Sequence, residues 1–402
     1  MPRLTHILLC SFAALIVAFS CAGPVLASEG DVRVFKFADS SFDRFTSDPG
    51  PQLRGFIRER YTRLVAFAPY FDTRTRWYGN ALAYQDLYAI YSDGRTETYK
   101  ERPDWILRDR RGQRLFIPFG CENGTCPQYA GDIANAQFRR WWIDRAKQAI
   151  ANGYKGIYVD DANMDMRVGD GNGEARRPVD RRTGQPMTDR AWRAYVAGFV
   201  AQLRRELPKN AEVVLNAIWY AGDDKRDRDP QVRRQLRAAD TIVLEHGVND
   251  DGLQGGDGEW SVRAFLDYVD RRHADGKAVV MYGGGETPAE HEYGLAGYLL
   301  ASGPRDAFGR NDGGTDPDDW WRGLNVSLGR ARGVRYEWNG LLRRDFEHGM
   351  VLLNDPDSPA TRIELPSGLR GLDGRPRTSV TLGPKRGAVL MSPAAATAAA
   401  RR

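Results

Sequence analysis

From about residue 60 the chain repeats one theme: a short apolar run, a polar loop, then an amphipathic stretch with helical spacing. The runs RLVAFA (63–68), ALAYQDLYAI (81–90), LFIPF (115–119), GIYVDD (156–161), EVVLNAIW (212–219), TIVLEHG (241–247), AVVMYGG (278–284) and LNVSLG (324–329) are short and rich in Val, Ile and Leu. Such runs predict strands buried on both faces. Between them, FRRWWIDRAKQAIANG (138–153) places Trp142, Ala146 and Ala149 on one helical face and stops at Gly153. TDRAWRAYVAGFVAQLRREL (188–207) opens on the caps Thr188 and Asp189 and stops before Pro208. SVRAFLDYVDRRHADG (261–276) runs from Ser261 to Gly276.

Strands alternating with helices in this number predict a (β/α)8 barrel, an α/β fold. A doubly wound open sheet competes, but it calls for a Gly-rich nucleotide turn after its first strand, and RLVAFAPYFD has none. Beyond residue 340 the pattern changes to MVLLND, TRIEL, SVTL and GAVLM, separated by Pro, Gly and Asp. This predicts a small antiparallel β domain over 341–393, with the barrel over 28–340 and a frayed, disordered tail over 394–402.

The first residues change the picture of where the chain works. Arg3, the apolar run Ile7 to Phe19 and Val25-Leu26-Ala27 have the pattern of a secretory signal peptide over 1–27, cleaved after Ala27. A lipoprotein processed at Cys21 is the alternative. No later run is long and apolar enough to span a membrane. The expected location is therefore secreted or periplasmic, with about 375 residues left for one large domain and a small companion.

Cys10 and Cys21 fall in the leader, which leaves Cys121 and Cys126 in CENGTC. After export these two are expected to pair around the Asn-Gly turn. A zinc site needs more ligands than this stretch offers. The net charge of +5 drops to +4 when Arg3 leaves, and 8 of the 58 basic residues are lysine. Arginine is scattered, without the clustered basic face that nucleic acid requires.

In a barrel of this kind reactive groups sit at the carboxyl ends of the strands. Polar residues fall there repeatedly: Tyr70 and Asp72, Gln85 and Asp86, Asp160 and Asp161, Asn216 and Trp219, Glu245 and His246, then Tyr282 and the turn Gly283 to Glu286. Asp160 and Glu245 lie two strands apart on one rim, a spacing that can straddle a glycosidic bond. Tyr70, Trp77, Tyr84, Trp219 and Tyr282 offer aromatic faces to sugar rings near that rim. Asp161 falls on the opposite side of the pleat from Asp160 and is expected to orient the loop or hold a hydroxyl.

W-I-L-R-D-x-x-G-Q-R (105–114), D-I-A-N (132–135), G-Y-K-G-I-Y-V-D-D-A-N (153–163), N-A-I-W, V-L-E-H and L-L-R-R-D-F-E-H-G-M-V-L-L-N together resemble the bacterial hypothetical glycoside hydrolase-like family 15. The resemblance covers most of the mature chain. It implies an amylase-like barrel with a C-terminal β domain. Asp132 and Asn163, within the matching motifs, are further candidate substrate contacts. G-I-Y-V-D is similar to the fourth-strand phrase of family 31 alpha-glucosidases and of alpha-galactosidases. That similarity implies Asp160 as nucleophile and Glu245 as acid/base, where those enzymes carry aspartate. The expected activity is hydrolysis of an alpha-linked poly- or oligosaccharide, without cofactor.

Three other readings stand beside it: a carbohydrate-binding barrel without catalysis, a structural anchor at Asp160-Asp161, and calcium in the loops GDGNGE (169–174), NDDGLQGGDGE (249–259) or NDGGTDPDD (311–319). Asp170, Asn172 and Glu174 alternate as oxygen ligands do, though without the bidentate Glu of an EF-hand. The four histidines left after the leader, His246, His273, His291 and His348, form no metal-spaced pair. The Gly283–Gly285 turn lacks a phosphate-loop lysine.

Overall fold

The computed structural model describes residues 28–66, 77–92, 97–217, 219, 227–310 and 313–401. The expected leader, and the candidates Tyr70 and Asp72, lie outside the described residues. Eight parallel strands close a barrel: β1 (Val34–Ala38), β2 (Tyr61–Ala66), β3 (Ala81–Asp86), β4 (Gly156–Asp160), β5 (Glu212–Asn216), β6 (Thr241–Leu244), β7 (Ala278–Tyr282) and β8 (Ala307–Gly309). Each pairs with the next, and Val34 of β1 aligns with Phe308 of β8 to complete the ring.

Six of the predicted strands belong to this barrel, and two do not. LFIPF lies in the long excursion between β3 and β4, where Leu115 and Ile117 are buried beneath the loops. LNVSLG begins as a 3-10 turn, Arg322–Asn325, after the last barrel strand. The strands that take their places in the ring are β1, interrupted by Lys36, and β8, only three residues long. The predicted strand 81–90 splits into β3 and a short segment, Ala89–Tyr91, that pairs antiparallel with Gln128–Ala130.

Alternation along the strands sorts the side chains. Phe35, Val65, Leu82, Tyr158, Val214, Val243, Val280, Tyr282 and Ala307 fill the barrel interior, with Phe37 and Tyr84 above them. Tyr84 stacks on Tyr158 with ring centroids 5.9 Å apart, so the barrel is a packed core rather than a channel. Gly156 opens β4 where β5 approaches most closely: a Cβ there would stand 2.2 Å from the Glu212 carbonyl oxygen.

Thr188 and Ser261 cap their helices as expected, and two further helix starts carry caps of their own. Asn135 accepts the Gln137 and Phe138 N–H groups at the start of α1 (Ala136–Ala151). Thr188 caps α2 (Asp189–Glu206), and Ser261 caps α3 (Val262–Ala274). The helix α4 (Pro288–Ala301) begins with a capping box between Thr287 and Glu290.

The C-terminal part is a six-stranded antiparallel sheet made of Tyr336–Trp338, Leu341–Phe346, Gly349–Asn354, Thr361–Arg370, Pro376–Leu382 and Arg386–Met391. Its first strand precedes the expected boundary at 341 because an exposed, mixed edge strand carries no apolar signal. The tail is also corrected. Residues Pro393–Arg401 form the helix α5, with Ala396 and Ala399 buried and the Asn325 side chain donating to the Ala399 carbonyl at 3.1 Å. An alanine run is the strongest helix former available, and here it also has a surface to pack on.

Candidate active site

The inward alternation that fills the barrel continues upward into polar residues. On β3 the series Leu82, Tyr84 ends at Asp86; on β4, Tyr158 is followed by Asp160; on β5, Val214 by Asn216. On β6, Val243 leads to Glu245 just past the strand end. Asp86 and Asp160 are register partners. These residues open into a cleft of about 800 Å³ at the carboxyl ends of the strands, within the usual range for ligand sites.

Asn216 holds the centre. Its Nδ2 group donates to Asp160 Oδ1 and to Glu245 Oε1, each at 2.7 Å. The two carboxylate oxygens therefore lie no farther apart than twice that distance. Asp160 accepts two more hydrogen bonds, from the Tyr84 hydroxyl at 2.6 Å and from the Asp161 backbone N–H at 3.0 Å. Its carboxyl is clamped in one orientation by three donors.

Glu245 stands at the open side of the cleft. The surrounding protein and the charge of Asp160 raise its pKa above the ordinary carboxylate value, against the lowering influence of the Asn216 hydrogen bond and of nearby His246 and Arg167.

Asp161 overturns the expectation that it faces away. The strand stops at Asp160, and Asp161 takes a left-handed backbone with φ 49°. Pleat alternation ends there, so both carboxyls line the cleft. Burial, then the charge of Asp160, pushes the Asp161 carboxyl up to about 6. Its Oδ1 accepts from Asn163 Nδ2 at 2.9 Å and lies 3.9 Å from Arg167 Nη1. The turn is braced from behind: Ala162 N–H donates to the Asn216 carbonyl at 3.0 Å, and Trp192 Nε1 to the Asn163 carbonyl at 3.1 Å.

Tyr84, Asp161, Asn163, Asn216, Trp219 and His246 are brought together with Asp160 and Glu245. Trp219 is turned edge-on against Phe265 and Trp260 and is mostly buried. Three candidates are not in the cleft. Trp77 precedes β3, at the amino end of the strand, with the Arg54 and Arg58 guanidinium groups over its ring. Tyr282 lies inside the barrel, its ring packed over Gly309, where the missing side chain leaves room for it. Asp132 is buried at the turn before α1, where it accepts the Ala134 N–H at 3.0 Å. Of the other rim residues, Gln85 points outward and donates weakly to the Trp142 carbonyl at 3.4 Å.

Asp86, one of the rim residues, lines the cleft, and Arg167 and Phe119 join it with no sequence signal. Asp86 was legible as the next inward position after Leu82 and Tyr84. Arg167 and Phe119 arrive on loops, where no periodicity points to them.

Cys121 and Cys126 form a disulfide with a Cα–Cα distance of 4.1 Å, closing a loop beside Phe119. The neighbouring acidic loop, weighed as a calcium site, satisfies itself. Asp170 Oδ1 accepts the Asn172 and Glu174 N–H groups, and its Oδ2 pairs with Arg176 at 2.7 Å. Among the described residues, no group of three or more His, Cys, Asp or Glu is arranged to hold a metal. No helix among them is long and apolar enough to cross a membrane.

The sequence profile described as hypothetical glycosyl hydrolase family 15 matches residues 70–350. The chain belongs to that family. The match spans the carboxylate cleft and the whole barrel from β3 onward, so the family assignment and the geometry concern the same residues. A search of curated proteins finds no match.

Similar solved structures include the glycoside hydrolase domain of PelA from Pseudomonas aeruginosa, at 16% identity and a TM-score of 0.42 over 70% of this chain and 95% of that one. Trehalose-6-phosphate hydrolase (TreA) from Bacillus licheniformis aligns at 10% identity and 0.47, covering 90% and 99%. The alpha-galactosidase of Thermus thermophilus aligns at 17% identity and 0.44, covering 79% and 66%.

Proposed function

We propose that this family 15 chain is an exported glycoside hydrolase that cleaves an O-glycosidic bond of a poly- or oligosaccharide with retention of configuration. The observation that carries the reading is the single Asn216 amide bonded to both Asp160 and Glu245. It limits the separation of their facing oxygens to a span that fits the roughly 5–5.5 Å of retaining enzymes better than the roughly 6.5–9.5 Å of inverting ones.

In this reading Asp160 attacks the anomeric carbon and forms the glycosyl–enzyme bond while Glu245 delivers its proton to the departing oxygen. A water then gives its proton to Glu245 and its oxygen to the anomeric carbon, releasing Asp160. The raised pKa of Glu245 suits the acid role. Asp161, Asn163 and His246 stand where they can hold sugar hydroxyls. The disulfide supports export, since such bonds persist in oxidising compartments.

The test is a hydrolysis screen of the purified mature protein on polysaccharides and aryl glycosides, with the first-formed anomer followed by proton NMR. The expected product keeps the configuration of the substrate. An inverted first product would rule out Asp160 as nucleophile, and wild-type turnover in Asp160→Asn would end the hydrolase reading of this cleft.

A further inference from the structure

Phe119 leaves 72% of its surface exposed, which is unusual for a phenylalanine in a chain with so many buried aromatics. It is not on an idle surface. Phe119 lines the same cleft as Asp160 and Glu245, on the wall that follows β3, with Ile117, Pro118 and Gln128 around it. Trp219, His246 and Phe265 line the cleft on the β5 and β6 side.

The segment that carries Phe119 is built to be stiff. Phe116 N–H donates to the Gly169 carbonyl at 2.9 Å, Ile117 N–H to the Gln128 carbonyl at 3.0 Å, and Phe119 N–H to the Ile117 carbonyl at 2.8 Å. Two residues later the Cys121–Cys126 disulfide closes the loop, and Glu122 and Thr125 exchange backbone hydrogen bonds within it. The acidic loop packs against the other side: a Cβ on Gly171 would stand 1.8 Å from the Gly124 carbonyl oxygen, so only glycine allows that approach. Phe116 beneath is stacked on Tyr129 with centroids 4.6 Å apart.

An apolar ring held out to water on a cross-linked, doubly braced support loses little entropy when something stacks on it. A pyranose ring presents a face of C–H groups, whose partial positive charge suits the negative face of an aromatic ring. We infer that Phe119 is a sugar-stacking platform for a unit beyond the two joined by the scissile bond, and that the substrate is accordingly a chain that continues along the cleft. The disulfide loop and its Gly171 contact serve to position that ring. This inference rests on the carbohydrate reading of the cleft and adds the length of substrate it takes.

The experiment compares Asp160→Asn, as a silenced parent, with the same chain carrying Phe119→Ala, Phe119→Leu or Phe119→Trp. The probe is a glycan array running from monosaccharides to long linear oligosaccharides, and melting temperatures confirm that each variant is folded. Phe119→Ala and Phe119→Leu should weaken binding of the longer members by roughly fivefold to tenfold, the scale of one aromatic contact. The shortest glycans bound should be unaffected, and Phe119→Trp should retain the parental profile. Cys121→Ser with Cys126→Ser should weaken the same long members with Phe119 still in place.

A Phe119→Ala profile identical to the parent, or a loss spread evenly over all lengths, overturns the inference. A parent that binds no glycan overturns both this and the carbohydrate reading. Wild-type turnover in Asp160→Asn, by contrast, would sink the catalytic assignment while leaving a length-dependent Phe119 effect standing.

Discussion

Asp86 and Asp160 are register partners on adjacent strands, and the Asp161 carboxyl opens into the same cleft. Asp86 is the buried partner. Its Oδ1 already accepts the Tyr88 and Ala89 N–H groups at 2.9 and 2.8 Å. Burial and the charges of Asp161 and Asp160 push it well above the usual carboxylate range. Asp86 therefore keeps its proton to higher pH than an ordinary carboxylate. A proton held there limits how much negative charge accumulates beside Asp160.

A pH dependence of stability follows. Asp161 ionises at about 6 in the folded chain against an ordinary 3.8. Below pH 4 the carboxyl is protonated in both states and adds no penalty. Between about 4 and 6 the unfolded chain releases the proton while the folded chain keeps it, so stability falls as pH rises. Above 6 the penalty is complete, on the order of 2–3 kcal/mol. Asp161→Asn should therefore melt higher than wild type at pH 7, with the difference vanishing near pH 4. Equal melting temperatures across that range would show that neither burial nor the Asp160 charge penalises the ionised carboxyl.

Asn216 offers a second test, through kinetics. Its hydrogen bond lowers the pKa of Glu245, so Asn216→Ala should move the alkaline limb of kcat/KM upward. The same change frees Asp160 and Glu245 from their shared donor and should reduce kcat by roughly 10- to 100-fold, within the range for a mispositioned catalytic group. The informative result is the direction of the limb. A downward move would mean that the amide does not act on Glu245 as a donor.

How far the sequence disclosed this site depends on which residues lie on strands. Asp160, Asn216 and Glu245 were legible because each closes an apolar run, where alternation and the barrel rule point inward at once. Asp161 departs from that alternation because the strand ends one residue before it and the backbone turns left-handed. LFIPF and LNVSLG look like barrel strands in sequence because an apolar run reports burial and not sheet membership. Leu115 and Ile117 are buried, but under the loops. The strand VFKFA hid behind Lys36, and AFG behind its length. Arg167 and Phe119 had no period to betray them, since their positions depend on loop packing and a disulfide.

The C-terminal sheet makes its own prediction. Arg344 reaches under α4 and donates from Nη1 to the Leu299 and Ser302 carbonyls at 2.9 and 3.0 Å, closing the end of that helix. Glu292, on the same helix, accepts the Val389 N–H at 2.9 Å. A helix that lines the barrel is thus tied to the sheet at two places. Arg344→Ala removes the charged donor and should destabilise the chain by about 2 kcal/mol, seen as a lower urea midpoint. Removal of residues 336–401 exposes the face of α4 and should give insoluble protein. A soluble, equally stable truncated barrel would show that the sheet is not a structural support.

The last prediction separates the two carboxyls by chemistry. If Glu245 is the proton donor, its importance scales with how much help the departing oxygen needs. Glu245→Gln keeps the shape of the side chain and its contact with Asn216 but cannot deliver a proton. On substrates with poor leaving groups it should lose roughly 10²- to 10⁴-fold in kcat/KM. On activated aryl glycosides, whose oxygen departs with little protonation, the loss should largely disappear. The alkaline limb set by Glu245 should vanish with it. Asp160→Asn should be inactive on both substrates, because no leaving group substitutes for a missing nucleophile. A Glu245→Gln variant equally impaired on both classes would instead place this carboxyl at the attacking step and reverse the two assignments.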